Sequence, residues 1–248
     1  MESVVKLTLH PDGVAHIEMQ EKEGKNTFTK PLIEGIMNVF NKINQTPEAK
    51  VVVISGYENF FCMGGTQEEL LGIFEGKLKF DDLNFFSALL DCPLPTISAM
   101  QGHARGGGLV FGLYADVIIL AREALYATNF MNYGFTPGMG ATLIVPEKMG
   151  VNVGTEMLFS GKNYHGGELQ ERGISLVVRP KGEVVTAALI LAKQMAEKPK
   201  LSLIELKNKL AEPIKSRLKD TIQKELKMHE VTFAQTEVKE RIQALFGN

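Results

Sequence analysis

Thr96-Ile97-Ser98-Ala99-Met100-Gln101-Gly102-His103-Ala104-Arg105-Gly106-Gly107-Gly108 is an apolar, strand-like run that passes directly into a glycine-rich loop. The arrangement occurs once before, where Val51-Val52-Val53-Ile54 precedes Phe61-Cys62-Met63-Gly64-Gly65-Thr66. Glycines there let the backbone turn tightly and approach a ligand without Cβ interference. Backbone N–H groups freed at such turns, above all where a helix begins, point at a developing negative charge. Two of them, one from each loop, would form an oxyanion hole that stabilises an anion on a carbonyl oxygen. One glycine loop is a weak signal; two, each behind a strand, carry the reading.

Outward from these loops the pattern is α/β. Val4 to Leu9 and Val14 to Met19 alternate as paired strands about the turn Pro11-Asp12-Gly13. Pro31 through Ile43 sets Leu32, Ile36, Val39, Phe40 and Ile43 on one helical face, with Thr29 as N-cap. Val51 to Ile54, Thr96 to Met100 and Val117 to Leu120 predict strands buried on both faces, and Leu109 to Tyr114 a helix after the second loop. This alternation predicts a mostly parallel sheet flanked by helices. The pattern turns helical from Val184, and Pro213 to Phe246 predicts one or two long amphipathic helices. Residues 1–197 are therefore read as the core. Residues 198–248 are read as a helical region that packs on that core or on a neighbouring subunit.

With 248 residues, 44% hydrophobic and 23% charged, the composition is that of a globular protein. A net charge of −2 gives no global argument for nucleic acid. The segment from Lys198 carries 11 Lys/Arg against 7 Asp/Glu, read as a solvated helix face, with an acidic partner as the alternative. Cys62 and Cys92 are too few for a disulfide framework. No signal peptide is evident and no run reaches the ~20 apolar residues of a membrane helix, so a cytoplasmic protein without membrane or nucleic-acid partners is expected. His10, His16 and His165 lack ligand-spaced partners, and no metal is expected.

The two loops, the acidic strand start at Asp116 and Gly134-Phe135-Thr136-Pro137-Gly138-Met139-Gly140-Ala141-Thr142 together resemble the crotonase (enoyl-CoA hydratase/isomerase) superfamily, along nearly the whole chain. The resemblance implies a spiral of ββα turns with a C-terminal helical region, a homotrimer and an acyl thioester substrate. By position it makes the N–H groups of Met63 and Gly107 the oxyanion-hole donors. Gly64, Gly65, Gly106, Val110, Phe130, Tyr133 and Phe135 become substrate-binding positions. The hydratases' two catalytic glutamates match Val110 and Phe130, which can neither activate water nor deliver a proton. Decarboxylation of an acid conjugated to a thioester needs the oxyanion hole and no such pair.

Gly64-Gly65-Thr66-Gln67-Glu68, Lys79-Phe80, Gln101-Gly102-His103, Asn129-Phe130-Met131, the Gly134 to Thr142 segment and Met228-His229-Glu230 resemble the second crotonase homologues of polyketide β-branching cassettes, the PksI-type decarboxylases. That resemblance makes Lys79 and His229 the polar catalytic pair. It implies decarboxylation of a 3-methylglutaconyl thioester to a 3-methylcrotonyl thioester on an acyl carrier protein. Other enzymes of the cassette are the remaining partners, and no cofactor is implied beyond the carrier's phosphopantetheine.

The residues also have plainer readings. His229 lies on the stripe formed by Ile214, Leu218, Ile222, Leu226 and Phe233, where, taken alone, it reads as a core histidine. Lys79 sits in the polar segment Glu75 to Asp82, where it reads as a surface lysine or as part of a lid. His103 is expected to orient the second loop through a structural hydrogen bond, and Cys62, with no paired base, to be a buried hydrophobe. Two further functions fit the loops: a coenzyme A-dependent isomerase or hydratase with relocated acid/base groups, and a non-catalytic thioester-binding module.

Overall fold

A computed structural model describes residues 3–77 and 85–245. Strands β1 (Val5–Leu9) and β2 (Val14–Met19) pair antiparallel about the predicted turn. Within it Val14 N–H donates to Asp12 Oδ1 at 3.2 Å and Gly13 N–H to the His10 carbonyl at 3.0 Å. Helix α1 (Lys30–Asn44) starts where expected, with Leu32 N–H donating to the Thr29 hydroxyl and Pro31 in the first turn, and it buries the predicted face.

From there successive strands go to different sheets. β3 (Val51–Ser55), β5 (Thr96–Met100), β7 (Val117–Ala121) and β10 (Val177–Arg179) join β2 in parallel, giving the order β1-β2-β3-β5-β7-β10. β4 (Phe60–Cys62), β6 (His103–Arg105), β8 (Leu125–Ala127) and β9 (Tyr164–His165) form a second, smaller sheet. The pairs β3/β4, β5/β6 and β7/β8 are thus turns of a spiral, each contributing a strand to both sheets. Helix α2 (Gln67–Phe74) follows the first pair, and α4 (Gly107–Leu113) follows the second after the short α3 (Ala88–Asp91) that precedes β5. Every residue of β3 and β5 is buried, as continuous apolar runs require, because α8 (Val184–Ala196) covers their outer face.

From Ala141 the chain is mostly helical: α5 (Ala141–Met149), α6 (Val151–Ser160), α7 (Gly166–Glu171), then α8, α9 (Lys200–Thr232) and α10 (Thr236–Leu245). The expectation of a helix opening at Pro213 needs correction, since Pro213 lies inside α9. Proline removes one backbone donor, yet the buried stripe Leu203, Lys207, Ala211, Ile214, Leu218 runs unbroken across it, and that packing outweighs the lost bond. Among the described residues, no helix is long and apolar enough to cross a membrane.

One ion pair fixes α9 to the sheet. Lys207, with its side chain 1% exposed, donates to both carboxylate oxygens of Asp116 at 2.8 and 2.7 Å and to the Leu89 carbonyl at 3.0 Å. Asp116 in turn accepts from Thr96 N–H at 2.8 Å, at the first residue of β5. Asp116→Ala strands a buried ammonium, so a loss of about 3–5 kcal/mol is expected. For a chain of this size that lowers Tm by roughly 10 °C. Scanning calorimetry checks this, and an unchanged Tm would remove the anchoring role.

Candidate active site

The two glycine loops meet at the start of α4. Gly64 has φ +83°, a conformation that side chains other than glycine's rarely adopt, and its carbonyl accepts from Phe28 N–H at 2.8 Å. A Cβ on Gly64 would lie 2.8 Å from the Arg105 carbonyl and 3.2 Å from Gly107 N, so the first loop rests directly on the second. Gly107 is the first residue of α4, where backbone donors have no intrahelical acceptor. Among the described residues, neither Met63 N–H nor Gly107 N–H donates to a protein acceptor.

A cavity of about 410 Å³ opens on this junction. Met63, Gly65, Gly106, Gly107, Phe130, Tyr133 and Phe135 line it. Gly64 and Val110 do not. Gly64 is buried under the junction, and Val110 is 0% exposed within a helix whose seven residues are all buried. Phe130 is therefore the apolar wall at the two positions matched to glutamate. It meets Phe135 edge-on at 6.2 Å, and Phe135 stacks on Tyr133 at 5.9 Å.

The wall also holds residues not singled out from sequence, among them Phe28, Lys25, Glu69, Arg105, Asn129 and Met139. Glu69 is a carboxylate on the wall, and burial raises its pKa. Its Oε2 accepts from the Thr66 N–H at 2.9 Å and the Thr66 hydroxyl at 3.1 Å, while the hydroxyl accepts from Glu69 N–H at 3.1 Å. This reciprocal cap of α2 occupies the carboxylate, and the Thr-x-x-Glu spacing was its legible signal. Lys25 and Arg105 are the cations on the described wall, Arg105 donating to Asn163 Oδ1 at 3.1 Å.

His229 lies outside this cavity. It is buried on α9, and its Nε2–H donates to the Thr136 carbonyl at 2.9 Å. Burial pushes its pKa down, against the carbonyls of Thr136 and Pro137, so the ring is neutral near pH 7 with Nδ1 as its acceptor nitrogen. The ring stands edge-on to Phe233 at 5.6 Å, and Phe233 stacks on Phe135 at 4.5 Å. His229 borders a small chamber of about 10 Å³ with Phe86, Ile222, Glu225, Leu226 and Met139. Met139 is common to both spaces. Lys79 lies outside the described residues.

The remaining marked groups are structural. Cys62 is buried and its thiol donates to the Asn26 carbonyl at 2.9 Å; burial pushes its pKa up to about 12, which rules out a thiolate. His103 accepts from Leu125 N–H at 2.9 Å through Nδ1, joining β6 to β8. His16 pairs with Ser55 Oγ at 2.8 Å.

The spiral, the paired loops and the helical C-terminal region agree with a family match that spans nearly all of them: the enoyl-CoA hydratase/isomerase profile fits residues 10–246. The chain belongs to the enoyl-CoA hydratase/isomerase family. Among its relatives in that family it is 47% identical, over 246 residues and 99% of each chain, to bacillaene synthase decarboxylase PksI of Bacillus subtilis (strain 168). A solved structure from a dehydratase/decarboxylase enzyme couple involved in polyketide β-branching superposes with a TM-score of 0.98 at 47% identity, covering 99% of this chain and 100% of the other. The ECH2 decarboxylase domain of CurF from Lyngbya majuscula gives a TM-score of 0.93 at 41% identity, covering 98% and 99%.

Proposed function

We propose that this member of the enoyl-CoA hydratase/isomerase family is a decarboxylase of polyketide β-branching, acting on a 3-methylglutaconyl thioester carried by an acyl carrier protein. The observation that carries the reading is the junction of Met63 and Gly107, two unengaged N–H groups facing a cavity that has Phe130 where a hydratase is expected to need a carboxylate. The thioester carbonyl oxygen accepts from both donors. The C–C bond to the distal carboxylate breaks, CO2 leaves, and the bonding electrons pass through the conjugated double bond to that oxygen as a dienolate. Protonation at the carbon that lost CO2 gives the 3-methylcrotonyl thioester. No base is needed for the bond-breaking step, because the departing group is not a proton.

Lys79 and His229 are assigned to hold the carboxylate and manage the proton. The phosphopantetheine arm supplies the thioester, no other cofactor is called for, and a homotrimer working beside other enzymes of the cassette is the assembly. The 47% identity to PksI and 41% to the CurF domain, both over nearly full length, support the reaction class. The test incubates the purified protein with 3-methylglutaconyl carrier protein and reads the acyl mass on its arm. Loss of CO2 is expected. An unchanged or hydrated acyl group returns the site to isomerase, hydratase or binding chemistry.

A further inference from the structure

Asn129 stands over the second oxyanion loop. It opens a short 3₁₀ helix (Asn129–Tyr133) and lines the 410 Å³ cavity. Gly106, with φ +51°, turns the loop immediately before the Gly107 donor, and a Cβ there would lie 2.9 Å from Asn129 Oδ1. The carboxamide thus fills the space that a side chain at position 106 would need. Its Nδ2–H makes a long hydrogen bond of 3.5 Å to Tyr133 Oη, and Tyr133 is itself stacked on Phe135. Among the described residues, nothing donates to Asn129 Oδ1. An acceptor left without a donor costs free energy once a bound ligand covers it, so the ligand that belongs here brings a donor.

That requirement selects among the parts of the substrate. The acyl portion of a glutaconyl thioester ends in a carboxylate and carries no N–H or O–H, and its oxygens would be repelled by Oδ1. The first donor of the substrate lies in the arm, where an amide N–H sits two carbons beyond the thioester sulfur. With the thioester oxygen on the Met63 and Gly107 donors, that amide comes within reach of a side chain over Gly106, since consecutive α-carbons are only about 3.8 Å apart. We infer that Asn129 is a binding residue for the pantetheine arm: its Oδ1 accepts from the amide N–H nearest the sulfur and so holds the thioester against the oxyanion donors. The assignment rests on the thioester reading above, and it concerns the arm rather than the bond that breaks.

Saturated glutaryl thioesters test it without turnover, since they lack the conjugated double bond that decarboxylation needs. One is the thioester of N-acetylcysteamine, which reproduces the amide. The other is its acetoxyethyl isostere, in which an ester oxygen replaces the N–H. Binding of both is measured by ligand-observed NMR titration on the wild type, Asn129→Ala and Asn129→Leu. The wild type is expected to hold the amide about tenfold more tightly, because the ester oxygen meets Oδ1 with no proton between them. Both variants should lose that preference. The ester has no N–H to offer, so its binding by a variant reports an intact cavity, and a variant that binds it decides the test. A wild type without preference, or a preference that survives in such a variant, overturns the assignment. Loss of ester binding in both variants would make Asn129 a structural residue and overturns it as well. If the preference behaves as expected while 3-methylglutaconyl carrier protein keeps its CO2, the arm contact stands and the decarboxylase reading falls. If CO2 is lost while the preference survives in the variants, only the arm contact falls.

Discussion

His229→Gln and Lys79→Ala each lower turnover of 3-methylglutaconyl carrier protein by about 10²–10⁴-fold, the range set by losing a positioned proton-transfer group. Glutamine retains a donor for the Thr136 carbonyl, which now accepts from His229 Nε2 at 2.9 Å, so the α9 contact survives the loss of the imidazole. Steady-state rates with intact near-UV circular dichroism check this, and near-wild-type turnover in both variants removes the roles. Burial also leaves a thermodynamic mark. The folded-state pKa of His229 lies below the 6.5 of the unfolded chain, so the unfolded state binds protons more readily. Stability from this group is present above pH 6.5 and is lost as pH falls through that value toward the folded pKa. Denaturant melts across that window should be less acid-sensitive for His229→Gln than for the wild type.

Gly107→Ala costs about 10²–10³-fold in kcat, the effect of losing one oxyanion donor. The added methyl would stand 2.7 Å from the Phe28 ring and 2.8 Å from the Met139 sulfur, both closer than real contacts allow. The start of α4 must shift to accept it, and the N–H moves off the carbonyl oxygen. Because the donor acts most strongly on charge that develops in the dienolate, affinity for unreactive glutaryl-pantetheine should change far less than kcat. A kcat within twofold of wild type would remove Gly107 from the oxyanion hole.

Much of the fold is legible in the sequence. β-branched runs such as Val51 to Ile54 and Thr96 to Met100 have few other uses than strands buried on both faces, and Thr29 with Pro31 marks a helix start by local hydrogen bonding alone. The glycine loops showed where backbone donors would be set free, and their order along the chain carried the family. Pro213 shows the limit of local rules: a stripe from Leu203 to Leu218 packs across it, and long-range burial overrides one missing donor. Val110 matched a catalytic position by its place in the chain, yet its side chain is wholly buried and does not line the cavity.

The sequence by itself determined the fold class and the paired glycine loops, which depend on residue type at short spacing, and its resemblance to the family placed Val110 and Phe130 where the hydratases carry glutamate. Tertiary structure alone decided which of those residues share a wall. It placed Glu69 on the cavity but bound to Thr66, set His229 beside Met139 on a small adjoining chamber, and held the Met139–Gly140 turn through Tyr114, just past α4, and Glu225 on α9. Tyr114 is 25 residues from Met139 and Glu225 is 85 from Gly140, and contacts at such separations are fixed by how helices and sheets pack.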